Sequence, residues 1–200
     1  MYKRILPLKG IIVNETMLEH YTTAISLKID PKGEIDALVS LYTRDLGKVI
    51  AKAKSMRKIM SKLAGHIVPG NIVNVRLIER GDGNGLQVLD GLSEKPKGDL
   101  KDILIFLNFL DKITPSGLPD NGLWHEAVKV LEEGGFSPER YRRMLRVSGF
   151  LSDASGYVEK LKCDNCGNGN VCYFIPQEVI FLCANSMRKL NFFENDAIRI

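Results

Sequence analysis

Between Tyr21 and Leu92, apolar and polar positions alternate in short β-branched runs separated by turn residues, a period of two that predicts strands. The run His20 to Ile29 sets Thr23, Ile25, Leu27 and Ile29 on one face, and Asp30-Pro31-Lys32-Gly33 turns it into a second run, Ile35 to Thr43. Thr43-Arg44-Asp45-Leu46-Gly47 reads as the next turn, and Leu46 to Lys54 as a third strand. A polar segment through Gly65 has room for one or two helical turns. Ile72 to Glu79 and Leu86 to Leu92 are the fourth and fifth strands, joined by the glycine-rich hairpin turn Arg80 to Gly85. Five strands with a break after the third is the plan of an OB-type barrel.

Beyond the Ser-Glu-Lys-Pro-Lys-Gly linker at residues 93–98 the period lengthens. Leu100, Ile103, Leu104, Leu107 and Leu110 recur at helical spacing, and Phe106 and Phe109 make that helix apolar on most of its surface. Thr114-Pro115-Ser116-Gly117 ends it, a second helix covers roughly Gly122 to Glu133, and Ser137-Pro138 starts a third with proline in the first turn. The expectation is an α+β chain: a five-stranded OB-fold barrel over residues 1–96, then a mainly α-helical domain over 97–200 with a small zinc-finger-like cysteine cluster at 163–183.

The 200 residues are 44% hydrophobic and 26% charged, an ordinary globular composition. The strongest apolar stretch, Ile103 to Leu110, is interrupted by Asn108 and falls far short of the ~20 residues that span a bilayer. The start, Met-Tyr-Lys-Arg, lacks the apolar core of a signal peptide, so a cytoplasmic location is expected. In a reducing compartment, four cysteines confined to residues 163–183 point to metal rather than to disulfides.

Charge changes the picture through its distribution. Arg44 to His66 holds seven basic residues against Asp45 alone, a local +6 within a chain of net +4. On the third strand the two-residue period sends Lys48, Ile50, Lys52 and Lys54 outward and Val49, Ala51 and Ala53 to the core. With Arg57, Lys58 and Lys62 following, these lysines form a track suited to a phosphate backbone, or to an acidic protein tail. Only Tyr21 and Tyr42 are placed to stack on bases, so phosphate contacts should dominate. A solvated basic face is the plainer alternative.

Cys163-Asp164-Asn165-Cys166-Gly167 is a CxxC knuckle in which glycine permits the tight turn. Cys172 and Cys183 supply two further thiols, enough for one tetrahedral structural Zn2+ on Cys163, Cys166, Cys172 and Cys183; partly buried free thiols are the other reading. The segment 137–146 carries Arg140, Arg142, Arg143 and Arg146, either a surface for nucleic acid or an acidic partner, or an amphipathic helix with Tyr141, Leu145 and Val147 inward.

No catalytic constellation is found, and no enzyme is expected. His125-Glu126 lacks the His-x-Glu spacing of a zinc deaminase, Lys129 stands where a metalloprotease motif needs its second histidine, and there is no Walker lysine motif. The glycines from Gly81 to Gly85 precede a strand, so no helix N-terminus is there to bind phosphate.

In order and spacing, the blocks Thr43 to Val49, Ala53 to Lys58 and Ser61 to Gly65 resemble the RecO family of recombination mediators. Ser55 stands where that family carries glycine, Lys58 stands for an arginine, and Gly70 follows Pro69 where the family tends to have an aromatic. Thr114-Pro115 through Pro119, Trp124 and Cys163 to Cys166 continue the likeness over most of the chain. Zinc-bearing relatives carry a second CxxC, which here would run from Cys183 to Ser186. The resemblance implies a DNA repair protein that binds single- and double-stranded DNA, anneals complementary strands, and works with RecR to help RecA replace single-strand-binding protein. It also favours the arginine-rich helix as a pocket for the C-terminal tail of single-strand-binding protein, and a nucleoid-associated location. A protein-interaction scaffold and an RNA-binding OB module are the competing readings.

Overall fold

The computed structural model describes residues 17–79, 85–151, 161–193 and 197–200. The expected hairpin turn from Arg80 to Gly85, all but Gly85, and the amino-terminal sixteen residues lie outside them. Five strands, β1 (Leu18–Lys32), β2 (Asp36–Thr43), β3 (Gly47–Ala53), β4 (Ile72–Glu79) and β5 (Leu86–Glu94), close into a barrel in the order β1-β2-β3-β5-β4. All neighbours are antiparallel except β3 and β5, which pair in parallel through Ala51–Leu86, Lys52–Gln87 and Ala53–Val88. The polar segment after β3 forms one short 3-10 turn, Leu63–Gly65.

The fifteen residues of β1 serve two neighbours, β4 through Leu18–Ile25 and β2 through Ala24–Lys32. A bulge between Ser26 and Lys28 makes this possible and inverts the inside-outside alternation beyond it. Ile25 and Leu27 therefore point out of the barrel into the helical core, whereas Ile29 packs against the barrel interior. This corrects the single face expected for Thr23, Ile25, Leu27 and Ile29, because one inserted residue moves every later side chain to the opposite face. The barrel interior is small and closely filled, by Ala24, Ala37, Val39, Leu41, Ala51, Ala53, Val73, Val75, Leu77 and Val88, with Met56 and Ile67 closing one end.

Helix α1 (Leu100–Ile113) starts at Asp99, whose carboxylate accepts from the Lys101 amide. Its buried stripe is Ile103, Phe106, Leu107, Phe109, Leu110 and Ile113; of the apolar positions expected to cover most of its surface, Leu100 and Leu104 are exposed, so the helix is amphipathic. Helix α2 (Asn121–Glu133) is capped by Asp120 and ends at Gly134 with φ 72°, and α3 (Pro138–Val147) buries Tyr141, Met144 and Leu145. Val147, expected inward, is 41% exposed.

The carboxy-terminal part is less helical than expected. Strands β6 (Val171–Ile175), β7 (Ile180–Cys183) and β8 (Ile198–Arg199) form a sheet in the order β7-β6-β8, and a short helix, α4 (Ala184–Lys189), follows β7. Phe174 of β6 meets Phe109 of α1 edge to face with ring centres 6.1 Å apart, and Phe109 meets Tyr141 of α3 at 4.9 Å, so sheet and helices share one core.

A dense seam joins the barrel to α1 and α2. Gly47 is left-handed (φ 67°) and its backbone lies against Leu118, Lys48 carbonyl accepts from the Gly117 amide at 2.9 Å, and Lys48 Nζ reaches Asp111 Oδ1 at 3.2 Å. Tyr42 is buried here, 5.6 Å from Trp124, with its hydroxyl donating to the Asp120 carbonyl.

Candidate nucleic-acid interface and thiol cluster

The third strand holds the alternation expected of it: Ala51 and Ala53 are fully buried, Ile50 is 65% exposed, and Lys48 and Lys52 are partly exposed. The six candidate cations nevertheless divide by partner. Lys48 is drawn into the seam with Asp111, and Lys52 Nζ lies 2.8 Å from Asp36 Oδ2. Arg57 donates to the Gly33 carbonyl at 2.7 Å and stays exposed. Lys54, Lys58 and Lys62 are exposed, and among the described residues none of the three is ion-paired.

Asp36 organises this region. Its second oxygen accepts from the Ser55 amide at 2.8 Å, and Ser55 is held at φ 53°. That left-handed geometry is the one glycine adopts freely, which explains physically why a glycine suits the position. The Lys52 hydrogen bond, reinforced by the Ser55 N–H, keeps the Asp36 carboxyl below the ordinary range.

Beside it lies an open groove of about 350 Å³ lined by Lys32, Leu38, Ile50, Lys52, Lys54, Gly85, Leu86 and Gln87. Lys32 and Gln87 escaped the sequence reading because they join the lysines only through strand pairing: Lys32 sits opposite Asp36, and Gln87 opposite Lys52. Neither expected stacking aromatic serves this groove. Tyr42 is buried in the seam, and Tyr21, though 70% exposed, is on the β4 side of β1 opposite Arg76.

The arginines of α3 are largely engaged within the fold. Arg140 pairs with Glu133, Arg143 with Glu126 at 2.9 Å, and Arg142 donates to the Ile200 carbonyl at 3.0 Å. Arg146 is exposed.

At the other end, Cys163, Cys166 and Cys183 bring their sulfurs within 4.8 Å of one another, with Cys166–Cys183 at 3.7 Å. Tetrahedral zinc with Zn–S bonds of ~2.3 Å sets its ligands roughly 3.8 Å apart, so the spacing fits that ion. The knuckle closes through Gly167, at φ 70°, whose amide donates to the Cys163 carbonyl. Cys172, expected as the fourth ligand, stands outside this trio. Its strand position explains why: Cys172 is on β6, whereas β7 delivers Cys183 and the first turn of α4 delivers Ser186. The Ser186 hydroxyl is within 3.2 Å of the Cys163 sulfur and 3.4 Å of the Cys183 sulfur, and it accepts from Asn165 at 3.0 Å.

Burial pushes the Cys163 thiol up, but hydrogen bonds from Ser186 and from the backbone at Cys183, Cys166 and Asn165 outweigh it and bring it to about 6. Ser186, through its side chain and then its amide, also lowers Cys183. The thiolate, which is the metal-binding form, is thus favoured at two positions.

The geometry defines a closed β-barrel with one cationic groove, docked on a helical body that carries a thiol cluster. Residues 17–93, the barrel, match the family described as recombination protein O N terminal. DNA repair protein RecO of Dehalococcoides mccartyi is 26% identical over an alignment covering 82% of this chain and 68% of that protein. The RecO of Thermodesulfovibrio yellowstonii is 29% identical, covering 74% of this chain and 61% of that protein, and a Synechococcus RecO is 42% identical over 59 residues. The chain is thus similar to RecO proteins over most of its length, and its barrel matches their amino-terminal family.

Proposed function

We propose that this chain is a non-enzymatic DNA repair protein whose OB-type barrel binds the phosphate backbone of single- and double-stranded DNA. In this reading it anneals complementary strands and assists the loading of RecA onto DNA covered by single-strand-binding protein, with RecR as a partner. The observation that carries the reading is the groove where Lys32, Lys52 and Lys54 converge, next to the exposed Lys58 and Lys62. In OB folds the second and third strands and the flanking loops form the oligonucleotide-binding face, and here β2 contributes Leu38 and β3 contributes Ile50 and Lys52 to that groove. The strand order β1-β2-β3-β5-β4, with its single parallel pairing, supports the OB assignment.

Zn2+ on Cys163, Cys166 and Cys183, with the Ser186 oxygen nearest the fourth position, supplies structural cross-linking of β7, α4 and the knuckle rather than chemistry. Arg146 and Arg143 remain the exposed cations of α3 for the acidic tail of single-strand-binding protein. The described helices include none long and apolar enough to cross a membrane, in keeping with action on DNA in the cytoplasm at the nucleoid. Binding of matched deoxyribose and ribose oligonucleotides, together with strand annealing followed by fluorescence, tests the reading. Tighter deoxyribose binding with accelerated annealing supports it; a ribose preference favours an RNA-binding module.

A further inference from the structure

We propose that Ile59 and Met60, at the apex of the β3–β4 loop, form an apolar wedge that inserts between bases of a single strand gripped by the surrounding cations. This deepens the nucleic-acid reading above and rests on it. Ile59 is 101% and Met60 90% exposed, the two most exposed large apolar side chains among the described residues. They stand between Lys58 and Lys62, with Lys54 and Arg57 just before, so the apolar tip is ringed by positive charge. That combination is complementary to a chain of phosphates bearing apolar rings, and aliphatic side chains such as Ile and Met do insert between base steps in other DNA-binding proteins.

The apex is held from both sides, as a wedge must be. On one flank Met56 is buried in the barrel core, and Arg57 ties the loop to the β1–β2 turn through its amide to Ile35 carbonyl and its guanidinium to Gly33 carbonyl. On the other flank Leu63 packs on the same core and Ile67 is fully buried. Between them, the Lys58 amide bonds to Ser55 carbonyl and the Ser61 amide to Lys58 carbonyl, two successive turns that carry Ile59 and Met60 outward. Among the described residues no aromatic lines the basic groove: Tyr42 is buried against Trp124, and Tyr21 is on the β4 side of β1. The apex extends beyond the groove the apolar contact that Ile50, 65% exposed, offers within it.

The test compares the full chain with Ile59→Ser/Met60→Ser, a pair whose exposure leaves the fold intact, as an unchanged melting temperature would show. Both are titrated with single-stranded oligonucleotides containing 2-aminopurine, whose fluorescence rises when it unstacks. The parent should raise that fluorescence. The double variant should not, and it should bind roughly tenfold more weakly with its salt slope unaltered. Parent binding without a fluorescence rise overturns the wedge and leaves the phosphate-binding reading standing. Failure of the parent to bind oligonucleotides at low salt overturns both. If instead the substitutions abolish binding to phosphatidylglycerol vesicles and leave oligonucleotide binding unchanged, the apex is a membrane contact and the wedge is wrong.

Discussion

Gly47 and Leu118 meet backbone to backbone where the barrel touches the α1–α2 loop: a Cβ on Gly47 would lie 2.4 Å from the Leu118 carbonyl carbon. Neither side of that contact is a flexible side-chain end, and Gly47 also has a left-handed φ of 67°. Gly47→Ala therefore combines strain of ~1–2 kcal/mol with overpacking of ~1–3 kcal/mol. A fall in melting temperature of roughly 4–20 °C is expected for a chain of this size, measured by circular dichroism. An unchanged melting temperature would show that the seam does not constrain the fold.

Ser55 offers the opposite experiment. A non-glycine residue at φ 53° sits in a conformation unfavourable by ~1–2 kcal/mol, whereas glycine loses ~0.5–1 kcal/mol of chain entropy. Ser55→Gly should then stabilise the chain by up to about 1 kcal/mol in chemical denaturation, and its amide retains the bond to Asp36. A loss of stability would mean that the serine side chain makes a compensating contact.

The pairing of Asp36 with Lys52 has a definite pH sign. Because the folded protein holds this carboxyl below its ordinary value, its contribution to stability is complete above the unfolded carboxylate range. That contribution disappears as pH falls through the lower folded value. Asp36→Asn should therefore be less stable than the parent at neutral pH, with the difference closing in strong acid. In a carboxyl NMR titration of the parent, Asp36 should titrate low, and Lys52→Ala should move it back upward.

At the thiol cluster, metal analysis should find about one zinc per chain. Cys172→Ser should leave that stoichiometry unchanged, since Cys172 is outside the trio, whereas Cys163→Ser should lower both zinc content and melting temperature. Ser186→Cys places a thiol where the hydroxyl now approaches Cys163 and Cys183 and should slow zinc loss to a chelator. Zinc well below half an equivalent in protein purified without chelator would remove the structural-metal proposal.

The five barrel strands were legible because each is buried on one side, so burial imposes the period of two. Ile29 was misplaced because a bulge is a single extra residue with no compositional mark. Strands β6, β7 and β8 were not read: β6 and β7, at five and four residues, show no alternation of burial along their length, and β8, at two, is too short to have a period. The cations were legible as types but not as partners. Lys48 and Asp111 are 63 positions apart, and only the docking of α1 on β3 turns that lysine into a brace. Similarly, the CxxC knuckle announced itself, while the choice between Cys172 and Ser186 depended on how β7 leads into α4.

Salt-dependent binding of a single strand tests the central claim most directly. With Lys54, Arg57, Lys58 and Lys62 on phosphates, log affinity should fall with log salt at a slope near −3, roughly 0.7 per contact. Changing Lys54, Lys58 and Lys62 together to alanine removes three exposed cations outside the core and should flatten the slope by about two units, weakening binding alike for every sequence. A triple variant that keeps the parent's affinity and slope would contradict the assignment of this face to nucleic acid.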